Sequence, residues 1–265
     1  MEKKNLIAGK DRRGFTTKKE DEKFSNFLSS VLIENLLSSV SKIWTSAAKI
    51  LGQRKYLPAI NPLCKQLTKE DKLYTKIAIC EALENIGETA VPILIGYLGK
   101  IGHNQYKQLP NKFFNKWNYP CPRDIVARTI AKIGEPALPY LIKVLETKNV
   151  EQISEAIDAI GKISFYSKNF AAQSVLKKCL QKYLSNELIV WKIIRAFEAF
   201  PVDDVIRILE KYLKNSEQKM LRWEAIRSLA QIGGEKSREI LSEVLIIETD
   251  AETRKNLSKA IKRFR

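Results

Sequence analysis

Two short segments of this chain have nearly the same sequence, and their similarity limits the fold more than any other feature. Residues 87–95 read Gly-Glu-Thr-Ala-Val-Pro-Ile-Leu-Ile, and residues 134–142 read Gly-Glu-Pro-Ala-Leu-Pro-Tyr-Leu-Ile. Each segment follows an apolar helical pattern that ends in Ile-Gly, and each begins a second helical pattern. Such self-similarity is typical of repeat proteins. The sequence therefore predicts an array of helical repeats.

The repeat extends over six units when each unit is aligned on its turn position. Five turn positions are glycine and one is proline: Gly52, Gly87, Gly134, Gly161, Pro201 and Gly233. Glycine favours a helix C-terminus because it adopts a positive φ without steric cost, whereas proline cannot continue a helix. The six positions are 27 to 47 residues apart. This spacing is typical of units that each contain one helix pair.

Apolar residues recur one, four and eight positions before each turn, which places them in one stripe along a helix. In chain order the stripe residues are Leu51, Ala48 and Trp44; Ile86, Leu83 and Ile79; Ile133, Ile130 and Val126; Ile160, Ile157 and Ile153; Phe200, Phe197 and Ile193; Ile232, Leu229 and Ala225. We expect the stripes to form the core between successive units.

Both ends of the chain differ from the repeat. Residues 1–23 contain eight Lys or Arg and five Asp or Glu with little apolar periodicity, so we expect a charged, mobile tail. A basic arm that touches nucleic acid is the alternative. A first capping helix is predicted by apolar residues around one face, Phe27, Val31, Leu32, Leu36 and Leu37. A C-terminal cap is predicted by Leu257, Ile261 and Phe264. We predict one repeat domain over residues 24–265.

The repeats resemble a known family. Residues 222–233, Arg-Trp-Glu-Ala-Ile-Arg-Ser-Leu-Ala-Gln-Ile-Gly, and residues 127–139, Ala-Arg-Thr-Ile-Ala-Lys-Ile-Gly-Glu-Pro-Ala-Leu-Pro, are similar to the short HEAT-like repeats of phycobilin lyases. The resemblance covers about residues 40–265. It implies an all-α fold, a right-handed α-solenoid of about six helix pairs with capping helices. Scaffolds, lyases, metal enzymes and DNA-repair proteins all use this repeat, so it does not select a function.

One interval between successive turn positions is longer than the others. Gly87 and Gly134 are 47 residues apart, about 13 more than the average of the other four intervals. The excess lies in an insert, residues 101–122, which we expect to be a loop between the second and third repeats. No Asp or Glu occurs between Glu88 and Asp124. The candidate binding residues in and beside the insert are Tyr106, Lys107, Lys112, Phe113, Phe114, Lys116, Trp117, Tyr119 and Arg123.

Aromatic residues interleaved with cations allow three interpretations of the insert. They form anchors for a protein partner through large side chains and cation–π contacts. They stack on bases while the cations neutralise phosphates. In the third interpretation the aromatic rings fold back and cover the repeats.

The charge of the chain favours acidic partners. It has 46 Lys and Arg against 30 Asp and Glu, a net charge of +16. Such an excess favours an acidic protein face or nucleic acid, or it is spread over a solvated surface. We interpret the chain as a non-catalytic scaffold that binds a protein partner of acidic character through the concave face of the array and the insert. Nucleic-acid binding, as in HEAT-like alkylpurine DNA glycosylases, is the alternative.

The sequence disfavours most enzyme classes. His103 is the only histidine, so a histidine base would have to come from this one loop residue. The His-Glu pairs that hold iron in deoxyhypusine hydroxylases, which share the HEAT-like repeat, are absent. For a glycosylase the chain offers Trp191 with Arg195, Trp223 with Arg227, and Asp203 or Asp204. We assign no catalytic residue, metal site or cofactor.

The sequence also predicts the cellular compartment of the protein. No run approaches the roughly 18 apolar residues of a membrane span, and the charged N-terminal stretch has no signal-peptide core. The cysteines Cys64, Cys80, Cys121 and Cys179 are widely spaced, as reduced thiols are, and we expect Cys121 to be exposed. We therefore expect a cytoplasmic protein.

Overall fold

The structure, a computed structural model, describes residues 9, 12–36, 38, 40–113 and 118–264. Fifteen α-helices and four short 3-10 segments are the regular elements of this part of the chain, and none of these residues lies in a strand. The predicted all-α class is confirmed. Among the described residues, no helix is both long enough and apolar enough to cross a bilayer.

The described residues form two compact units. Unit 1 lies within residues 1–103 and 124–140, and unit 2 lies within residues 104–123 and 141–265. The boundary between the two units falls inside residues 24–265, which the sequence predicts to be one repeat domain. The single domain therefore stays a prediction. Most of the insert belongs to unit 2.

Unit 1 is built from helix pairs in two layers. Its helices are α1 (Lys18–Glu22), α2 (Ser29–Asn35), α3 (Ser41–Gln53), α4 (Ile60–Lys69), α5 (Leu73–Ile86), α6 (Val91–Ile95) and α7 (Ile125–Ile133). Helix α5 packs against both α3 and α7, and these three form one layer. Helices α4 and α6 contact each other and form the second layer.

Unit 2 repeats this arrangement. After α8 (Leu138–Leu145), which contains the boundary, it comprises α9 (Val150–Ser167), α10 (Gln173–Lys182), α11 (Glu187–Ala196), α12 (Asp203–Asn215), α13 (Lys219–Ile232), α14 (Gly234–Ile247) and α15 (Ala251–Ile261). Helices α9, α11, α13 and α15 pack in series, each against the next. Helices α10, α12 and α14 lie outside this series, each in contact with a helix of it.

The predicted stripes form the core of each unit. Sixteen of the eighteen stripe residues are buried, and only Ile133 and Ile232, each directly before a turn glycine, are half-buried. The stripe positions thus locate the packing face because residues three, four and seven places apart share one side of a helix.

Three predicted turn glycines are confirmed, and two are wrong. Gly87, Gly134 and Gly233 end helices with φ of 84°, 88° and 77°. Gly52 and Gly161 instead lie inside α3 and α9, which continue to Gln53 and Ser167. A Cβ atom on Gly52 would lie 2.7 Å from the Cβ of Ala82 in α5. Glycine is therefore required at this position for close helix packing and not for a turn.

The N-terminal segment differs from the mobile tail predicted for residues 1–23. Thr17 caps α1 through a capping box with Glu20. The Asp21 carboxylate accepts hydrogen bonds from Ser46 Oγ at 2.6 Å and from Lys49 Nζ at 2.8 Å, both in α3. Residues 16–22 are thus packed on unit 1 through polar contacts, which apolar periodicity cannot reveal. Residues 1–8, 10 and 11 lie outside the described residues.

The predicted caps are present at both ends. In α2 and directly after it, Leu32 and Leu36 are buried, whereas Phe27 and Val31 are exposed, so the first cap covers α3 with fewer side chains than the sequence predicts. Leu37 lies outside the described residues. At the other end, Leu257 of α15 is buried where this helix packs on α13 and α14.

Candidate functional site

Residues 104–113 and 118–123, the described parts of the segment 104–123, lie along the serial helices of unit 2. Tyr106 contacts Trp191 of α11, and Phe113 contacts Trp223 of α13. The Lys107 ammonium lies 3.7 Å from the Glu151 carboxylate of α9. The segment is irregular, without a helix in its described part. An acid-free stretch of chain is therefore held against three successive repeat helices by side-chain contacts.

The two ring contacts of the segment recur from one helical repeat to the next. Trp191 and Trp223 occupy equivalent positions in successive repeats, and each forms a T-shaped contact with one ring of the segment. The ring centroids are 5.1 Å apart for Tyr106 and Trp191 and 5.7 Å apart for Phe113 and Trp223. Edge-to-face contacts of this kind place the positive ring edge against the negative ring face. We call Trp191 and Trp223 the two tryptophan sites.

Tyr119 fixes the far end of the segment. Its side chain is buried, and its ring lies 5.7 Å from that of Phe165 in α9. A Cβ atom on Gly161 would lie 2.6 Å from Tyr119 Cζ and 3.0 Å from the Cα of Ala196 in α11. Gly161 therefore provides the space in which Tyr119 and α11 both approach α9.

A buried ionic cluster lies on the same helices. Its members are all at most 4% exposed: Glu155, Asp158, Lys192, Arg195, Glu198, Glu224 and Arg227. Lys192 Nζ lies 2.8 Å from carboxylate oxygens of both Glu155 and Asp158. Buried charges of this kind persist only when they are paired, because their desolvation is costly. The cluster joins α9 to α11.

The cluster continues from α11 to α13 through two arginines. Arg195 forms an ion pair with Glu224 at 3.1 Å, and its guanidinium lies 3.8 Å from the ring centre of Trp191. Arg227 pairs with Glu224 at 2.8 Å and also with Glu198. Trp191 is thus enclosed by Tyr106 on one side and by a paired arginine on another.

The two carboxylates of this part have opposite pKa shifts. Burial raises the pKa of Glu198 from 4.5 to about 7, opposed by Arg227 and assisted by the negative charge of Glu224. Burial acts in the same direction on Glu224, but Arg195 and Arg227 outweigh it and lower the pKa of Glu224 to about 2. Glu224 has two cationic partners, and this accounts for the difference.

Tyr119 lies near these charges. Burial raises the pKa of its phenol well above the usual value, and the negative charges of Asp158 and Glu198 act in the same direction. Within the described part of the chain, neither Tyr119 Oη nor Trp191 Nε1 has a hydrogen-bond partner. The segment therefore covers a polar interior and not only an apolar one.

Outside the buried cluster, cations lie over aromatic rings around the segment. Arg123 lies 4.5 Å from the ring centre of Tyr106, Lys168 4.7 Å from that of Phe165, and Lys162 6.0 Å from that of Tyr166. Each of these rings belongs to the segment, touches it, or adjoins a ring that does. Lys112, Arg123 and Lys168 are exposed, and Lys162 is half-buried. The outer side of this region is thus positively charged.

The candidate residues from the sequence divide into three groups. Lys107, Lys112 and Arg123 are exposed, and Tyr106 and Phe113 are half-buried against the tryptophan sites. Tyr119 is buried, as in the interpretation that the rings fold back on the repeats. Phe114, Lys116 and Trp117 lie outside the described residues.

Sequence reasoning missed the ionic cluster but noted part of it. The pairs Trp191 with Arg195 and Trp223 with Arg227 stand out in the sequence as equivalent residues 32 positions apart. Lys192, Glu155 and Asp158 gave no such signal, because charged residues in a helix are usually solvated. All three lie one or two positions from a residue of a buried stripe, and this closeness is the signal that could have found them.

The candidates for an enzymatic site are dispersed. Asp203 and Asp204 begin α12, are exposed, and pair with Lys236 and Lys177. Trp191 and Trp223 are buried, as expected for core packing. His103 and Cys121 are exposed, and the Cys121 sulfur lies 3.5 Å from Lys162 Nζ. Among the described residues, no group of three His, Cys, Asp or Glu side chains is placed to hold a metal ion.

Serial helix pairs with a continuous core in each unit define a helical repeat protein. Residues 174–262, the last three helix pairs of unit 2, match the family model of HEAT repeats. The predicted resemblance and the predicted α-solenoid class are thereby confirmed. A comparison with curated proteins gives no significant match.

Solved structures of repeat proteins are similar to the chain. A designed armadillo repeat protein in complex with the peptide (KR)4 is 19% identical, with a TM-score of 0.42, and the match covers 91% of this chain and 100% of that one. The complex of CpcE and CpcF of phycocyanin lyase from Nostoc sp. PCC7120 is 17% identical, with a TM-score of 0.36 and coverage of 91% and 96%. These values indicate no function for this chain.

Proposed function

We propose that the chain is a non-catalytic binding scaffold that recognises an acidic segment of a protein partner. The binding surface is the outer side of residues 104–113 and 118–123 together with the adjoining C-terminal end of α9. The observation that carries the proposal is the set of cations there, Lys112, Arg123, Lys162 and Lys168, three of which lie over aromatic rings. Acidic side chains are the complementary chemistry for such a surface.

The placement of the rings favours a protein partner over nucleic acid. Proteins that bind single strands stack bases on exposed aromatic faces. Here Tyr106 and Phe113 are already in contact with Trp191 and Trp223, and Tyr119 is buried. Lys112, Arg123 and Lys168 are exposed, whereas these rings are half-buried or buried, and this matches recognition of carboxylates by charge.

A matched pair of variants tests the proposal. The site variant carries Lys112→Gln, Arg123→Gln, Lys162→Gln and Lys168→Gln. The control variant carries Lys178→Gln, Lys211→Gln, Lys255→Gln and Lys259→Gln, four exposed cations of α10, α12 and α15. Both variants lose the same net charge, so that any difference between them reports the location of binding and not the total charge.

The measurement is the fluorescence anisotropy of a labelled ten-residue peptide of Asp and Glu at constant salt. We expect the site variant to bind at least about tenfold more weakly than the wild type, about 1.4 kcal/mol, and the control to stay within about twofold. Equal losses in both variants would mean that charge acts without a site, and the proposal would be wrong. Tighter binding of a duplex DNA than of the peptide, lost in the site variant, would assign the surface to nucleic acid.

A further inference from the structure

The two tryptophan sites lie at equivalent positions of successive repeats, and each is filled by one ring. Trp191 and Trp223 are 32 residues apart, and each is followed four residues later by an arginine of the ionic cluster. Each also carries a cation near its ring, Arg195 at 3.8 Å from Trp191 and Lys219 at 4.8 Å from Trp223. A repeated site that receives one aromatic ring per repeat is suited to an extended chain with regularly spaced aromatic residues.

The chain that fills these sites is loosely packed. Lys107, Gln108, Asn111 and Lys112, which connect the two rings, are exposed. Residues 105–111 line an open cavity of about 330 Å³. Segments with an exposed backbone and few buried contacts are the ones that open most readily in a folded protein. Tyr106 and Phe113, together with the buried Gln105, therefore anchor residues 104–113.

We propose that the tryptophan sites form a binding surface for an extended segment of a partner protein, and that residues 104–113 occupy this surface as an internal ligand. The partner segment carries two aromatic side chains and displaces Tyr106 and Phe113. The occupant is inferred from the internal segment itself, which shows the backbone form, the ring type and the seven-residue spacing that the surface accepts. This inference does not depend on the acidic partner proposed above, because it concerns the surface beneath residues 104–113.

Tethering explains why the internal segment prevails in the free chain. A short tether gives a ligand an effective concentration in the millimolar range. An external peptide at micromolar concentration cannot compete with it unless its own affinity is much higher. Weakening the internal anchors should therefore open the sites to a peptide that the wild type excludes.

The test uses the internal segment as its own probe. A labelled peptide of residues 104–113, Asn-Gln-Tyr-Lys-Gln-Leu-Pro-Asn-Lys-Phe, is added to the wild type and to the variant Tyr106→Ala with Phe113→Ala. We expect the variant to bind the peptide at least about tenfold more tightly than the wild type. The peptide is cationic, as is the chain, so net charge cannot produce this binding.

The matched control is the same peptide with both aromatic residues replaced by alanine, which should not bind the variant. Equal binding of the peptide to variant and wild type, or equal binding of both peptides, would overturn the inference. If the variant loses its helical circular dichroism, the wild type is used instead. Millimolar peptide should then raise the hydrogen exchange of residues 104–113 at least about tenfold, and unchanged exchange would overturn the inference. The results of these peptide experiments do not depend on whether acidic peptides bind at Lys112 and Arg123.

Discussion

At the scale of single residues, Lys192 has the largest predicted effect on stability. Its ammonium is fully buried and pairs with Glu155 and Asp158. The change Lys192→Met keeps most of the side-chain volume but leaves the Asp158 carboxylate buried without its cation. We expect a loss of about 3–5 kcal/mol in the free energy of unfolding of unit 2, measured by urea denaturation.

The control for this change is Lys211→Met, which removes an exposed lysine of α12. It should change the free energy of unfolding by less than about 0.5 kcal/mol. A similar small effect for Lys192→Met would show that the buried ion pairs do not stabilise the contact between α9 and α11.

Glu198 gives a pH dependence with a defined sign. Its pKa is about 7 in the folded chain and 4.5 ordinarily, so the folded state holds the proton more tightly. Between these pH values the unfolded chain has lost the proton and the folded chain has not. The contribution of Glu198 to stability therefore falls as the pH rises from 4.5 to 7.

The variant Glu198→Gln removes this titration. The free energy of unfolding of the wild type minus that of the variant should decrease from pH 4.5 to pH 7, as measured by denaturation at several pH values. The titration of Glu224 does not affect this comparison. Its pKa is about 2 in the folded chain, so the stability that its charge contributes is lost only below pH 4.5. Parallel curves for the two proteins would contradict the assignment of a raised pKa to Glu198.

At the scale of helices, the stripes predict which side chains hold the layers together. Ile157 is fully buried in α9, whereas Ile246 is 80% exposed in α14. Ile157→Ala should cost about 2–5 kcal/mol of unfolding free energy, because it leaves a cavity in the core. Ile246→Ala serves as the control and should cost less than about 0.5 kcal/mol. A cost below about 1 kcal/mol for Ile157→Ala would contradict the packing of α9 described above.

The elements also show what the sequence could predict. Apolar periodicity located the packing faces, and the glycines at 87, 134 and 233 marked helix ends, because both signals depend on local geometry. Gly52 and Gly161 were misread because a glycine within a helix can serve close packing as well as a turn. The residues that pack closely against these glycines are Ala82 and Tyr119, which are distant in sequence and come close only in the folded chain.

The candidate site was predicted in part for the same reason. Composition identified the insert and its cations, but the partners of Tyr106 and Phe113 are residues 85 and 110 positions further along the chain. No local pattern relates these residues. Sequence alone could therefore propose that the rings bind something and could not show that they already contact the tryptophan sites.

At the scale of the whole molecule, the central claim is that the cationic side of residues 104–113 and 118–123 and the adjoining C-terminal end of α9 bind an acidic protein segment. Hydrogen exchange of the full chain, with and without a saturating Asp/Glu peptide, tests it most directly. We expect slower exchange in residues 104–113 and 162–168 and no change in α10, α12 and α14. Protection confined to those three outer helices, or no protection anywhere at peptide concentrations that saturate binding, would contradict the claim.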